Sequence, residues 1–383
     1  MTPFTYAHAG VTPDGPITQW QGWQSLLDHC LQAWPATAGD LGLLYVTEPL
    51  AGDLEDILAR LKERTGIADW TGAVAPAICA TGAEYFDTPA MAMMALEVPS
   101  GNYHLVPPIN STEGADDALR ASADWRATHD PRFAIVHADP RGAGVMSLVP
   151  DLAETTEAYL VGGLTSAASN ESQIAGATTG GGVSGVMFGE TVPVATGLTQ
   201  GCSPIGPLRT ITAMEEDIIT ELDGRRALDV FKEDIGDLLA RDLQRVAGYI
   251  HAAVPVVGSD TGDYMVRNLM GVDPHQGWLA IGDALNVGDR VMFVRRDAAS
   301  AVEDMGRMLD SLKARAGGGI RGGVYHSCVA RGPNQFGPGS QELSMISEAL
   351  GDVPIIGFFG NGEISNGRLY TYTGVLSLFL EDE

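Results

Sequence analysis

Short apolar runs alternate along this chain with amphipathic helical segments. That alternation limits the possible folds more than any other property. Residues 43–46 read as a buried strand, and DLEDILARLKERTG follows with Leu54, Ile57, Leu58 and Leu61 on one helical face and Gly66 as its stop. Strand runs at 74–79 and 91–98 complete a first round. A second has strands at 133–137, 159–164 and 183–188, a helical segment at 149–155, a strand at 193–200 and a hairpin within 211–222. A long helix is expected over 227–249, with Leu228, Phe231, Ile235, Leu238 and Leu239 in register.

The last third repeats the order. Strands are expected at 278–281 and 291–295, then a helix opened by a capping box of Ser300 with Glu303. A strand at 323–328, a helix at 341–350 and strands at 353–358 and 369–379 follow. Three rounds of strand, helix and strand pair predict an α/β protein (α+β-like) of two domains. Its sheets are internally repeated, largely antiparallel and flanked by helices. The expected division is an irregular, aromatic-rich segment over 1–40 that packs on the first domain, a domain over 41–223 and a domain over 224–383.

Charge narrows the partners. Twenty-three basic against 49 acidic side chains give a net charge of −26. Such a field repels nucleic acid and anionic membrane surfaces, so neither is expected as a partner. The amino terminus MTPFTYAHAG has neither a basic start nor an apolar core, and no apolar run approaches the roughly 20 residues needed to span a bilayer. A cytoplasmic location without membrane insertion is expected. The four cysteines, at 30, 79, 202 and 328, form no Cys-x-x-Cys and signal neither a zinc ribbon nor a disulfide framework. The eight histidines show no paired metal spacing, although one histidine can hold haem iron without any.

Two segments, 180–185 and 317–322, match G-x-G-x-x-G. A dinucleotide fingerprint requires the glycines to follow a strand and open a helix; here each precedes a strand, VSGVMF or VYHSCV, so both are rejected. The run GLTQGCSPIGPLRTI is punctuated too tightly for a strand or helix and reads as a rigid loop. No G-x-S-x-G, H-E-x-x-H, phosphate loop or S-x-x-K occurs. Cys328 and His326 share a strand face, but neighbours on one strand rarely make the hydrogen bond a nucleophile needs, and Cys328 fits a small buried residue better.

Chemistry concentrates between 323 and 373, in GVYHSCVARGPNQFG and VPIIGFFGNGEISNGRLYTYT. Arg331, Glu363, Cys328, Phe358 and Phe359 stand there among glycines that let a backbone approach a ligand closely. Fixed charges beside such glycines suit a small polar or zwitterionic molecule. Two readings stay open: Arg331 and Glu363 lock two loops by pairing with each other, or both face one pocket and hold the two ends of a ligand.

The same residues carry a resemblance. GGGVSGVMFG and QGCSPIGPLRTITAMEEDIITELDGRRALDV, then VRNLMGVDPHQGWLAIGDALNVGDRVMFVRRDAASAVEDM, CVARGPNQFG, GFFGNGEIS and the step Tyr372–Thr373 resemble the FIST family from about residue 41 onward. The resemblance implies a sensory protein with an amino-terminal and a carboxy-terminal FIST domain that binds small ligands, amino acids being the proposed class. No output segment is expected beyond Glu383, so the signal is expected to pass through a separate protein, and self-association into a homodimer would serve the same end. The expected pocket joins the loops after Cys328 and Phe358. Arg331 would hold a carboxylate, and Glu363 or a backbone carbonyl an ammonium. Phe336 and Phe358 would form walls, with close approach at Gly332, Gly357 and Gly362. No catalytic residue, metal or cofactor is expected; a haem-bound nitric-oxide sensor and an amide hydrolase are the alternatives.

Overall fold

The structure, a computed structural model, describes residues 3–35, 39–99, 101–142, 144–236, 249–256, 263–317 and 319–381. Packing divides it into two compact units, residues 1–199 with 305–369 and 373–383, and residues 200–304 with 370–372.

The larger unit is one motif used three times. The first copy runs β1 (Thr5–Gly10), α1 (Trp23–Leu31), β2 (Leu41–Thr47), α2 (Leu54–Thr65), β3 (Asp69–Ala75), a hairpin of β4 (Ala77–Ala80) and β5 (Ala83–Phe86), and β6 (Ala90–Leu96). The second runs β7 (Tyr103–Ile109), α3 (Thr112–Ala121) with α4 (Ala123–His129), β8 (Phe133–Ala138), α5 (Val145–Thr156), β9 (Tyr159–Leu164), the hairpin β10 (Gln173–Ala175) and β11 (Ala177–Thr179), and β12 (Val183–Phe188). The third opens with β13 (Val194–Gln200) and is then interrupted by the smaller unit.

That unit holds β14 (Cys202–Pro204), β15 (Arg209–Glu215), β16 (Ile218–Leu222), β17 (Arg225–Arg226), α6 (Ala227–Ile235), β18 (Ile250–Pro255), β19 (Tyr264–Arg267), β20 (Leu269–Asp273), β21 (Trp278–Ile281) and β22 (Arg290–Arg296). They form an antiparallel sheet around Phe231, Phe293 and Ile211. The third copy resumes with α7 (Ala298–Ala316), β23 (Ile320–Cys328), α8 (Gln341–Leu350), β24 (Ile355–Gly360), the hairpin β25 (Glu363–Ser365) and β26 (Arg368–Tyr370), and β27 (Thr373–Leu380).

Each copy centres on a parallel pair, β2–β3, β8–β9 or β23–β24, joined by a helical crossover, and its last strand adds antiparallel beside the first of the pair. The hairpins do not stay at home. β4–β5 extends the third copy's sheet, β10–β11 the first's and β25–β26 the second's, so the three copies exchange hairpins in a cycle. The exchange gives three six-stranded sheets of identical pattern, β1-β6-β2-β3-β10-β11, β7-β12-β8-β9-β25-β26 and β13-β27-β23-β24-β4-β5. Helices cover one face of each and a shared core the other, so the central strands are buried throughout.

Glycine marks the equivalence of the copies. Gly72, Gly162 and Gly357 stand opposite Leu44, Val136 and Tyr325, and an added Cβ would fall 1.8, 1.7 and 1.7 Å from those carbonyl oxygens. No other residue fits there without moving backbone. The next positions, Tyr45, His137 and His326, are therefore counterparts, and all three meet in the core: Tyr45 Oη lies 3.2 Å from His137 Nε2 and 3.4 Å from His326 Nε2.

Several expectations need correction. Thr5–Gly10, within the segment read as irregular, is an edge strand on β6. The run at 74–79 breaks at Pro76 into β3 and β4, which join different sheets; the run at 369–379 divides likewise into β26 and β27. The strands at 278–281 and 291–295 belong to the smaller unit, and the third round begins at β13. The expected helix over 227–249 stops at Ile235, where Gly236 turns to φ 81°; residues 237–248 lie outside the described residues. α7 is capped by Asp297, which accepts from Ala299 N and Ser300 Oγ, so the box of Ser300 with Glu303 does not form. Cys202–Pro204, read as loop, is a short strand paired with β22.

Candidate functional site

The carboxyl end of β23 and the turn after it bring buried polar groups together in the larger unit. Strand alternation directs Tyr325 and Ser327 toward α8, where Glu342 is fully buried. Glu342 Oε1 accepts from Tyr325 Oη at 2.6 Å, Ser327 Oγ at 3.2 Å and Arg331 Nε at 2.7 Å, while Oε2 accepts from Gly332 N at 2.7 Å. Arg331 is itself 0% exposed and its guanidinium lies 5.0 Å over the Phe336 ring. Burial opposes its charge, but the Glu342 carboxyl outweighs that and raises its pKa. Glu84 of β5 accepts at 3.1 Å from the N–H of Leu343 in the first turn of α8; burial, then the nearby Glu342 charge, push it up to about 7.

Glu363 begins β25 and is 1% exposed. Its Oε2 accepts from Thr373 N at 3.1 Å and Thr373 Oγ1 at 2.8 Å. Burial raises this carboxyl to about 8, against the pull of the Thr373 bonds, the Arg331 charge and the Cys328 thiol. Four polar atoms of these side chains are buried without a hydrogen-bond partner among the described residues: Arg331 Nη1 and Nη2, Glu363 Oε1 and Glu84 Oε2. An unmet buried donor or acceptor costs about 1–3 kcal/mol, so leaving several in one cluster calls for a reason.

The structure thus gathers Arg331, Gly332, Phe336, Cys328 and Glu363, and assigns the ion pair of Arg331 to Glu342. Gly357 sits inside β24, where its missing side chain admits the Tyr325 carbonyl. Phe358 points the other way, into the core with Tyr45, His137 and His326 at ring distances of 5.3, 6.1 and 5.0 Å. Phe359 shares the side of Tyr325 and packs on Phe86. Gly362 lies against Leu164 and Leu369. Sequence reasoning missed Glu342, Tyr325, Thr373 and Glu84. The one available signal was an acid on the buried face of a helix, because Glu342 adjoins Leu343 and stands four residues before Ile346.

Haem does not fit His137 or His326, two of the deeply buried histidines. His137 and His326 turn Nε2 toward Tyr45 and pack against Phe358, and burial lowers both to about 3. No helix among the described residues is long and apolar enough to cross a membrane.

The sequence that builds this fold and site has relatives among known proteins. The FIST N domain model matches residues 40–225 and the FIST C domain model residues 227–366. The chain belongs to the FIST family, whose domains are sensor domains of signal transduction. An uncharacterized protein of Mycobacterium tuberculosis, found in strains H37Rv and CDC 1551, is 30% identical over 347 residues, covering 85% of this chain and 87% of its own. An uncharacterized protein of Mycobacterium bovis is 33% identical over 199 residues, about half of each chain.

Proposed function

We propose that this protein is a cytoplasmic sensor of a free amino acid or similar zwitterion, with output through a separate signalling protein. The observation that carries this reading is the set of unmet atoms at Arg331 and Glu363. Two guanidinium nitrogens complement a carboxylate, and a carboxyl oxygen complements an ammonium. Glu342 and Phe336 hold the guanidinium in place, so little freedom is lost on binding. Because Glu363 ionises near 8, it is protonated at neutral pH and must release that proton to hold an ammonium. Affinity therefore rises with pH up to about 8.

Calorimetric titration of the twenty common amino acids at about pH 7, where Glu363 holds its proton, in two buffers of different ionisation enthalpy, tests this reading. One amino acid or a small group is expected to bind with release of about one proton, and Glu363→Gln is expected to abolish that binding while the fold persists. Absence of binding across the panel, or unchanged binding by E363Q, overturns it.

A further inference from the structure

The threefold repeat allows one copy to be measured against the others. Helices α1, α3 and α7 occupy the same place in the motif, before the first strand of each parallel pair. α1 buries Leu26, Leu27, Cys30 and Leu31, and α7 fills its place with Met305, Met308, Leu309 and Leu312. α3 buries only Ala115. Beneath α3 is a half-open cavity with about 30 Å³ of free space, walled by Val106 and Ile109 of β7, Ala118 of α3, Ala134 of β8, Leu152 of α5 and Met187 of β12.

We infer that this cavity is a second binding site, distinct from Arg331, which takes the alkyl end of a neutral amphiphile such as a medium-chain alcohol. No charged side chain lines it. Its two hydroxyls are already engaged: Ser122 Oγ donates to Ala118 O at 2.9 Å, and Thr156 Oγ1 to Leu152 O at 2.6 Å. A polar group inside would find no partner, whereas methylenes lose nothing and leave water. A water needs about 10–15 Å³ of such space, so the cavity admits the last few carbons of a chain, not a whole molecule. The rest of the ligand then lies at the mouth beside His104, whose imidazole stacks 5.2 Å from Trp125. Around it α3 carries exposed Glu113, Asp116 and Asp117, the last paired with Arg120, and Arg126 Nη2 donates to the Leu119 carbonyl at 3.0 Å. The apolar lining would strip a carboxylate of water, and the net charge of −26 repels a fatty-acid anion, so a neutral headgroup is the better match.

Thermal unfolding of the full chain in 1-octanol and in sodium octanoate tests the inference. 1-Octanol is expected to raise Tm saturably, by about 3 °C at ten times its Kd, with octanoate at least tenfold weaker. Ala118→Leu fills the cavity as leucines do under α1, and is expected to remove the 1-octanol response while keeping the helical circular dichroism. Should A118L not fold, Ala134→Val fills the cavity from the sheet and carries the same expectation. No saturable rise in the parent protein, an equal rise with octanoate, or a full response in the folded cavity-filling variant overturns it.

Discussion

Glu363→Gln is expected to make the protein more stable at neutral pH, and the size of the gain follows from the burial of this carboxyl. In an exposed chain the group ionises at 4.5, whereas in the fold it does so near 8. The folded state therefore keeps a proton that the unfolded state loses, and stability falls as pH rises between those two values. Each pH unit costs about 1.4 kcal/mol, so by pH 7 the loss is about 3 kcal/mol. Glutamine keeps the carbonyl oxygen that Thr373 N and Oγ1 donate to, has nearly the same shape as the protonated acid and cannot ionise. At pH 4.5 the two proteins should differ by less than about 1 kcal/mol, and at pH 7 the variant should lead by about 3 kcal/mol. Urea unfolding from pH 4.5 to 8 measures both curves. Glu84, raised to about 7, contributes equally to each and cancels in the difference. Parallel curves would refute the placement of Glu363 in a dry, proton-holding site.

Arg331→Ala should destabilise by about 3–5 kcal/mol in urea unfolding, because it leaves Glu342 buried without its cation. The double variant Arg331→Met, Glu342→Gln should recover most of that loss. Gly162→Ala places a methyl against the Val136 carbonyl oxygen and should cost at least about 3 kcal/mol or prevent folding, as judged by circular dichroism. Gly224→Ala, at a turn with open space, should cost only the strain of its φ of 72°, about 1 kcal/mol by the same measurement.

The parallel strands were legible because both faces are covered. Leu43, Leu44 and Val46 form a continuous apolar run, as do Ile135 and Val136 in their copy. α2 was legible through Leu54, Ile57, Leu58 and Leu61 and its left-handed Gly66 cap. The swapped hairpins were not. Strands of three or four residues such as Gln173–Ala175 are too short to show a period, and nothing local reveals that Ala77 pairs with Phe359. At the site, glycine spacing drew attention to Arg331 and Glu363, while the partner of Arg331, Glu342, is hidden in an ordinary amphipathic helix. Phe358 and Phe359 could not be told apart before the strand direction was known; alternation then sends them to opposite cores.

The hairpin cycle also governs how this chain reaches its native state. β4 emerges early in synthesis, but its partner β24 lies near the other end of the sequence. At about 5–20 residues per second the ribosome needs roughly 15–60 s to supply it. During that interval β4 has only β5 beside it, and the edge that will pair with β24, with Ile78 and Cys79, is open to pairing with another chain. Contacts of this sequence span slow folding, and no single copy of the motif can close its own sheet. A fragment cut between the copies would lose a strand pair from a sheet elsewhere, so the protein can be shortened only at the cost of all three.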